Sequence, residues 1–130
     1  MRGSFRLGWL LLLSASSCRP SAPPTVVDPS GPPGPTRLTV SFVSICCGTD
    51  NEARERLTEV MARFEEDESV KLSTQTVPWG KEGEVDVCFD LAPLSADVQR
   101  RFQTAVERAI PETPRNRVIL DTPCRVSDRP

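Results

Sequence analysis

Apolar positions along the chain fall into stretches of distinct period. Leu7 to Leu13 is almost continuously apolar and follows Arg2 and Arg6, but it is far shorter than the ~20 residues a membrane-crossing helix needs. From Arg19 to Thr36 no period is visible. Beyond Arg37 the periods alternate between two and about three and a half. Leu38 to Cys46 carries Leu38, Val40, Phe42, Val43 and Ile45, which predicts a strand ended by Gly48. Thr49 followed by Glu52 has the spacing of a capping box. The helix predicted after it runs to about Glu66, with Ala53, Leu57, Val60, Met61 and Phe64 on one face and Glu52–Arg56 and Glu59–Arg63 as ion pairs on the wet side.

Val70 to Val77 alternates and is rather polar, as an edge strand would be. Residues 78–83 make a turn. Glu84 to Asp90 predicts a third strand, with Val85, Val87 and Phe89 on one face and Asp86, Cys88 and Asp90 on the other. Ser95 caps a second helix to about Ala109, with Val98, Phe102, Ala105, Val106 and Ala109 inward and Leu94 placed to staple its start. Pro111 and Pro114 stop that helix, and Arg117 to Asp121 closes the series as a short strand. The order β-α-β-β-α-β predicts an α+β fold of the ferredoxin-like, split βαβ kind. Right-handed crossovers place both helices on one face of a four-stranded antiparallel sheet, in the strand order 4-1-3-2.

The leading segment reads as an address. A basic start, a short apolar stretch and the small residues Ser14, Ala15, Ser16 and Ser17 form a secretory signal over residues 1–17. Ser14-Ala15-Ser16-Ser17-Cys18 resembles the bacterial lipobox, with Ala15 where that family prefers Leu. The resemblance implies cleavage before Cys18, a diacylglyceryl thioether on its sulfur and an acylated amino group. Each buried methylene contributes about 0.8 kcal/mol, so two or three acyl chains hold a protein at a membrane where one does not. Arg19, rather than Asp, follows the cysteine, and by the sorting rule of well-studied lipoproteins this points to the outer membrane facing the periplasm, ahead of the inner membrane or the cell surface.

Residues 18–36 are then a lipidated cysteine and a tether. Seven prolines, Pro20, Pro23, Pro24, Pro29, Pro32, Pro33 and Pro35, interleaved with Gly31 and Gly34, favour extended polyproline conformations. Residues 37–126 form one small domain with a modest core that disulfides would reinforce, and 127–130 is a tail.

Charge and composition narrow the function. Loss of Arg2 and Arg6 with the signal leaves 14 basic against 18 acidic residues, a net charge of −4, with no basic run to act as a nucleic-acid footprint. There is no histidine, the commonest general base and metal ligand. No nucleophile–base pair, phosphate loop or calcium-loop spacing is visible, so the expectation is a non-catalytic binding or structural domain, without a cofactor, whose partners are the membrane through its anchor and an unidentified envelope protein or ligand.

Four cysteines follow Cys18: Cys46, Cys47, Cys88 and Cys124. In an exported domain they predict two disulfides out of three connectivities. Bridges from Cys46 and Cys47 to Cys88 and Cys124 are the favoured expectation, because a bridge between adjacent cysteines is strained; Cys46–Cys47 with Cys88–Cys124 stays open. Plain ladder pairing does not juxtapose the favoured partners, so either a bulge shifts the register or one pair stays unbridged. The other reading of the same residues is thiol chemistry. Cys46-Cys47-Gly48 feeds a helix N-terminus, which favours thiolates. The element order and the place of this loop are similar to heavy-metal-associated domains, which implies a soft metal ion or redox role at Cys46 and Cys47. Those domains carry Met-x-Cys-x-x-Cys instead, and adjacent side chains converge on one ion only if the backbone turns between them.

Two further candidates stand apart. Trp79, at the hairpin, either offers a contact surface or folds back on the domain. Asp86 and Asp90, with Glu84, form a carboxylate row that would bind a cation or basic partner, or lie solvated with cross-strand partners such as Lys71 or Arg117. The acidic run Glu65 to Glu68 is expected to be solvated and to fray the end of the first helix.

Overall fold

The computed structural model describes residues 33–126; the signal, Cys18, most of the tether and the 127–130 tail lie outside the described residues. Six elements follow in the order predicted: β1 (Arg37–Phe42), α1 (Asn51–Glu68), β2 (Ser73–Trp79), β3 (Glu84–Asp90), α2 (Ala96–Ala109) and β4 (Asn116–Leu120). They build one sheet in the order β2-β3-β1-β4, with every neighbouring pair antiparallel. This is the predicted α+β architecture, strand order included.

Register assigns the two faces. Leu38, Val40 and Phe42 stand opposite Phe89, Val87 and Val85, so these six side chains share the face that the helices cover. Ala53, Leu57 and Phe64 of α1 and Phe102 and Val106 of α2 complete the core, with Ile110 and Leu91 closing it. Phe102 sits between Phe64 and Phe89 in edge-to-face contacts at centroid distances of 5.0 and 4.9 Å, a geometry that aligns ring edges with ring faces.

Several boundaries differ from the sequence reading, each for a local reason. β1 ends at Phe42, not at Cys46, because the Val43 amide turns to the Arg115 carbonyl and the chain leaves the sheet. Asp50, not Thr49, caps α1: one carboxylate oxygen accepts from the Ala53 amide at 2.9 Å and the other from the Asn116 side chain at 3.0 Å. α1 runs through Glu68 and breaks at Ser69, and its acidic end is not simply solvated: Glu65 takes the Leu72 amide and the Lys71 ammonium while Glu68 makes a two-pronged bond to Arg101. Val70 to Leu72 are thereby engaged in closing the helix, and β2 begins at Ser73. Of the two anticipated ion pairs on α1, Glu52–Arg56 forms. The packed unit also starts slightly before Arg37. Gly34 and Pro35 are buried, and a β-carbon on Gly34 would stand 2.6 Å from that of Gln99, so this glycine permits the chain's entry against α2.

Candidate functional site

Two places gather the residues singled out above, and they lie on different parts of the domain.

The first is the sheet face turned away from the helices. Its register sets Thr39 opposite Cys88 and Ser41 opposite Asp86, and on the other side Gln75 opposite Cys88 and Val77 opposite Asp86. After β4 the chain reverses at Asp121, whose backbone is left-handed at φ 50°, and runs back over this face. Asp121 holds the turn by accepting from the Thr36 amide at 2.8 Å and from the Thr36 hydroxyl, and these donors keep its carboxyl below the usual carboxylate range. The returning segment is then bonded to β3 by a Cys88–Cys124 disulfide with Cα atoms 5.9 Å apart.

Asp86 is therefore not on an open face. It is 4% exposed and accepts from three donors: the Ser41 hydroxyl at 2.6 Å, the Trp79 indole N–H at 2.8 Å and the Arg125 guanidinium at 3.2 Å. Arg125 also lies 4.3 Å from the centre of the Trp79 ring, a cation–π stack. Trp79 folds back on the domain, and its polar edge is fully engaged. The expected solvated row with Lys71 or Arg117 as partners is corrected: the ion pair is Arg125–Asp86, and Lys71 is taken by Glu65. Asp90, at the exposed end, accepts from the Ala92 amide and shapes the turn out of β3. Glu84 accepts from the Glu82 amide across the hairpin. All three carboxylates thus have structural work. Arg125 was missed by sequence reasoning, and no local signal marks it, because its partners are distant in the chain.

The second place is the loop between β1 and α1. The favoured cysteine connectivity is overturned: Cys88 pairs with Cys124, while Cys46 and Cys47 are free and exposed. The cause is the early end of β1, which leaves Cys46 and Cys47 off the sheet, and the returning C-terminal segment, which delivers Cys124 to Cys88. The backbone does turn between the two free cysteines. Cys47 has φ 64° and Gly48 φ 97°, both left-handed, and for Cys47 that region is sparsely occupied. The turn brings the sulfurs to the same side, 2.8 Å apart. The contact with Cys46 pushes the Cys47 thiol above its ordinary value, as does partial desolvation, while the nearby positive charge of Arg115 pulls the other way. The loop is pinned at its start by the Val43–Arg115 backbone bond and by the Ser44 hydroxyl donating to Glu82 at 2.8 Å, and at its end by the Asp50 cap.

Among the described residues no group of three or more His, Cys, Asp or Glu side chains converges as a metal centre. Cys46 and Cys47 would supply two soft ligands, where a structural zinc takes four.

Three grooves stand out on the surface of the described residues. One of about 480 Å³ runs between α1 and the edge strand β2, with Phe42, Leu57, Met61 and Val87 in its floor and Arg54, Glu55 and Thr76 at its rim. A second of about 400 Å³, more polar, lies beside the disulfide and includes Thr39, Gln75 and Asp90. The third, about 440 Å³, lies over Phe64 among Arg100, Arg101 and Arg108. Comparison of the chain with protein-family models, with curated proteins and with solved structures finds no match to any of them.

Proposed function

We propose that this chain is exported, cleaved before Cys18 and held by acyl chains on that cysteine at the outer membrane, where its folded part works as a non-catalytic binding or structural module of the cell envelope. The observation that carries the reading is the Cys88–Cys124 bond, which staples the C-terminal segment across the sheet. Such structural disulfides form and persist in oxidising spaces and are rare in the cytosol. That agrees with the secretory signal and lipobox read from residues 1–18. The proline-rich tether reaches at most about 55 Å at ~3.1 Å per residue, enough to hold the domain clear of the lipid.

The non-catalytic part of the reading is supported by what the charged groups do. Asp86 secures the C-terminal segment, Asp50 caps a helix, Asp121 holds a turn, and Glu65 and Glu68 close the end of α1. Each is engaged by donors that hold the fold together: backbone amides, the Ser41 and Thr36 hydroxyls, the Trp79 indole, the Asn116 amide, or a Lys or Arg side chain.

Intact mass of the protein extracted from its producing cell tests the anchor. A chain beginning at Cys18 and carrying a diacylglyceryl group is expected, in the membrane fraction after a carbonate wash. An uncleaved Met1, or an unmodified thiol at position 18, refutes it. Attachment of the same protein to the cytoplasmic side would refute the compartment.

A further inference from the structure

We propose that Cys46 and Cys47 form a second, exchangeable cysteine site, which passes two electrons between a dithiol and a vicinal disulfide and takes a small disulfide as its partner. The site goes beyond the anchored-module reading and stands whether or not Cys18 is lipidated.

The geometry that points to it has three parts. The two sulfurs are 2.8 Å apart, well inside the roughly 3.5–4 Å at which non-bonded heavy atoms rest against one another, and short of the roughly 2.05 Å of a bond. Cys47 is left-handed, and with the backbone turned there the two adjacent side chains converge instead of pointing to opposite faces. Such conformations persist where the surrounding structure over-determines them, and here Glu82, Arg115 and the Asp50 cap fix both ends of the loop.

The two cysteine pairs differ in access. Cys88 is 8% exposed, and Cys124 lies half-buried beside it. Cys46 and Cys47 are both exposed. None of the three grooves described above is lined by either of them. A small disulfide reaches the pair without one. Arg115 acts on Cys47 with a positive charge, while the Glu82 and Asp50 carboxylates bound at the two ends of the loop carry the opposite sign.

The exchange balances within the named reactants. One cysteine thiolate attacks a sulfur of the partner disulfide, forming a mixed disulfide and expelling one partner thiolate. The second cysteine attacks its neighbour's sulfur in that mixed disulfide, closing the Cys46–Cys47 bond and expelling the second partner thiolate. Two thiol protons pass to the two leaving sulfurs. The dithiol loses two electrons, and the partner disulfide gains them. Run backwards, a partner dithiol equivalent reopens the ring.

The test uses the full lipoprotein extracted in detergent, equilibrated in mixtures of reduced and oxidised glutathione, quenched with acid, alkylated and digested with trypsin. The peptide spanning 38–54 carries both cysteines of the pair and neither of the other two. The expected result is a peptide that moves from two alkyl groups to none as oxidised glutathione rises, with Cys88 and Cys124 unalkylated throughout. A Cys47→Ser variant is expected to accumulate glutathione on Cys46 at ten or more times the wild-type level, because the resolving sulfur is gone. Two alkylatable thiols in excess oxidised glutathione overturn the proposal. So does equal accumulation of the mixed disulfide in wild type and variant, or bridging only between two chains.

Discussion

The Trp79 indole N–H donates to the buried carboxylate of Asp86 at 2.8 Å, and the two residues stand on neighbouring antiparallel strands two registers from direct opposition. Around that bond the C-terminal segment is secured twice, by Arg125 to both residues and by Cys124 to Cys88. The face that would otherwise be the open side of a four-stranded sheet is thereby partly covered.

Asp86 is the member of this group whose removal leaves the most unmet. Asp86→Ala would strip the acceptor from the Ser41 hydroxyl, the Trp79 N–H and the Arg125 guanidinium at once. Breaking a buried ion pair from one side costs about 3–5 kcal/mol, and the half-exposed Arg125, which can turn to water, puts the expectation at the lower end. Urea unfolding of the two proteins measures it. A loss under about 1 kcal/mol would mean that water replaces Asp86 without difficulty.

Removing the disulfide by Cys88→Ser with Cys124→Ser should cost about 2–4 kcal/mol, given the 36-residue separation it closes. It should also loosen Arg125 from the indole. In a protein that begins at Cys18 Trp79 is the sole tryptophan, so its emission reports on this directly. A red shift in the still-folded variant is expected, and unchanged emission would show that the segment stays in place without its bond.

The helix cap separates two neighbouring residues. Asp50→Ala removes the acceptor of both the Ala53 amide and the Asn116 side chain and should destabilise by about 1–2 kcal/mol. Thr49→Ala should change stability by no more than about 0.5 kcal/mol. Equal effects of the two would return the cap to Thr49.

Acid stability follows from four carboxylates held below their ordinary values. Backbone and Asn116 donors lower Asp50, the Thr36 amide lowers Asp121, the Leu72 amide and Lys71 lower Glu65, and the Arg101 guanidinium lowers Glu68. For a depressed acid the stabilisation is complete above its unfolded value, near pH 4, and is lost as pH falls through the folded one. Thermal midpoints should hold steady from neutral pH to about pH 5 and fall steeply below pH 4. Raised salt should weaken the Glu65–Lys71 part most, because Lys71 is the more exposed of the two cationic partners.

Cys47 should react slowly with iodoacetamide at neutral pH and speed up as pH rises, because its contact with Cys46 keeps it protonated. Cys46→Ala removes that contact and should raise the Cys47 rate at pH 8. Arg115→Gln should slow exchange with oxidised glutathione about two- to five-fold at low salt and leave the rate with neutral hydroxyethyl disulfide unchanged. Equal slowing with both probes would assign Arg115 a structural role.

Much of this protein was legible in its residue pattern. The alternation of Glu84 to Asp90 matched β3 residue for residue, and the spacing of Val98, Phe102 and Val106 placed α2 and its Ser95 cap. Those are local statements, since the period of apolar side chains reports the geometry of the segment that carries them. With the element order they also determined the strand order, because few chain paths bury one face of such a sheet. Only the tertiary structure decided which cysteines meet and what becomes of Asp86. Residues 121–126 have no period to read, yet they cross the sheet and bring Cys124 and Arg125 to β3. Sulfur pairing and carboxylate burial depend on distances between segments far apart in the chain, and those distances exist only once the core has set the strands in register.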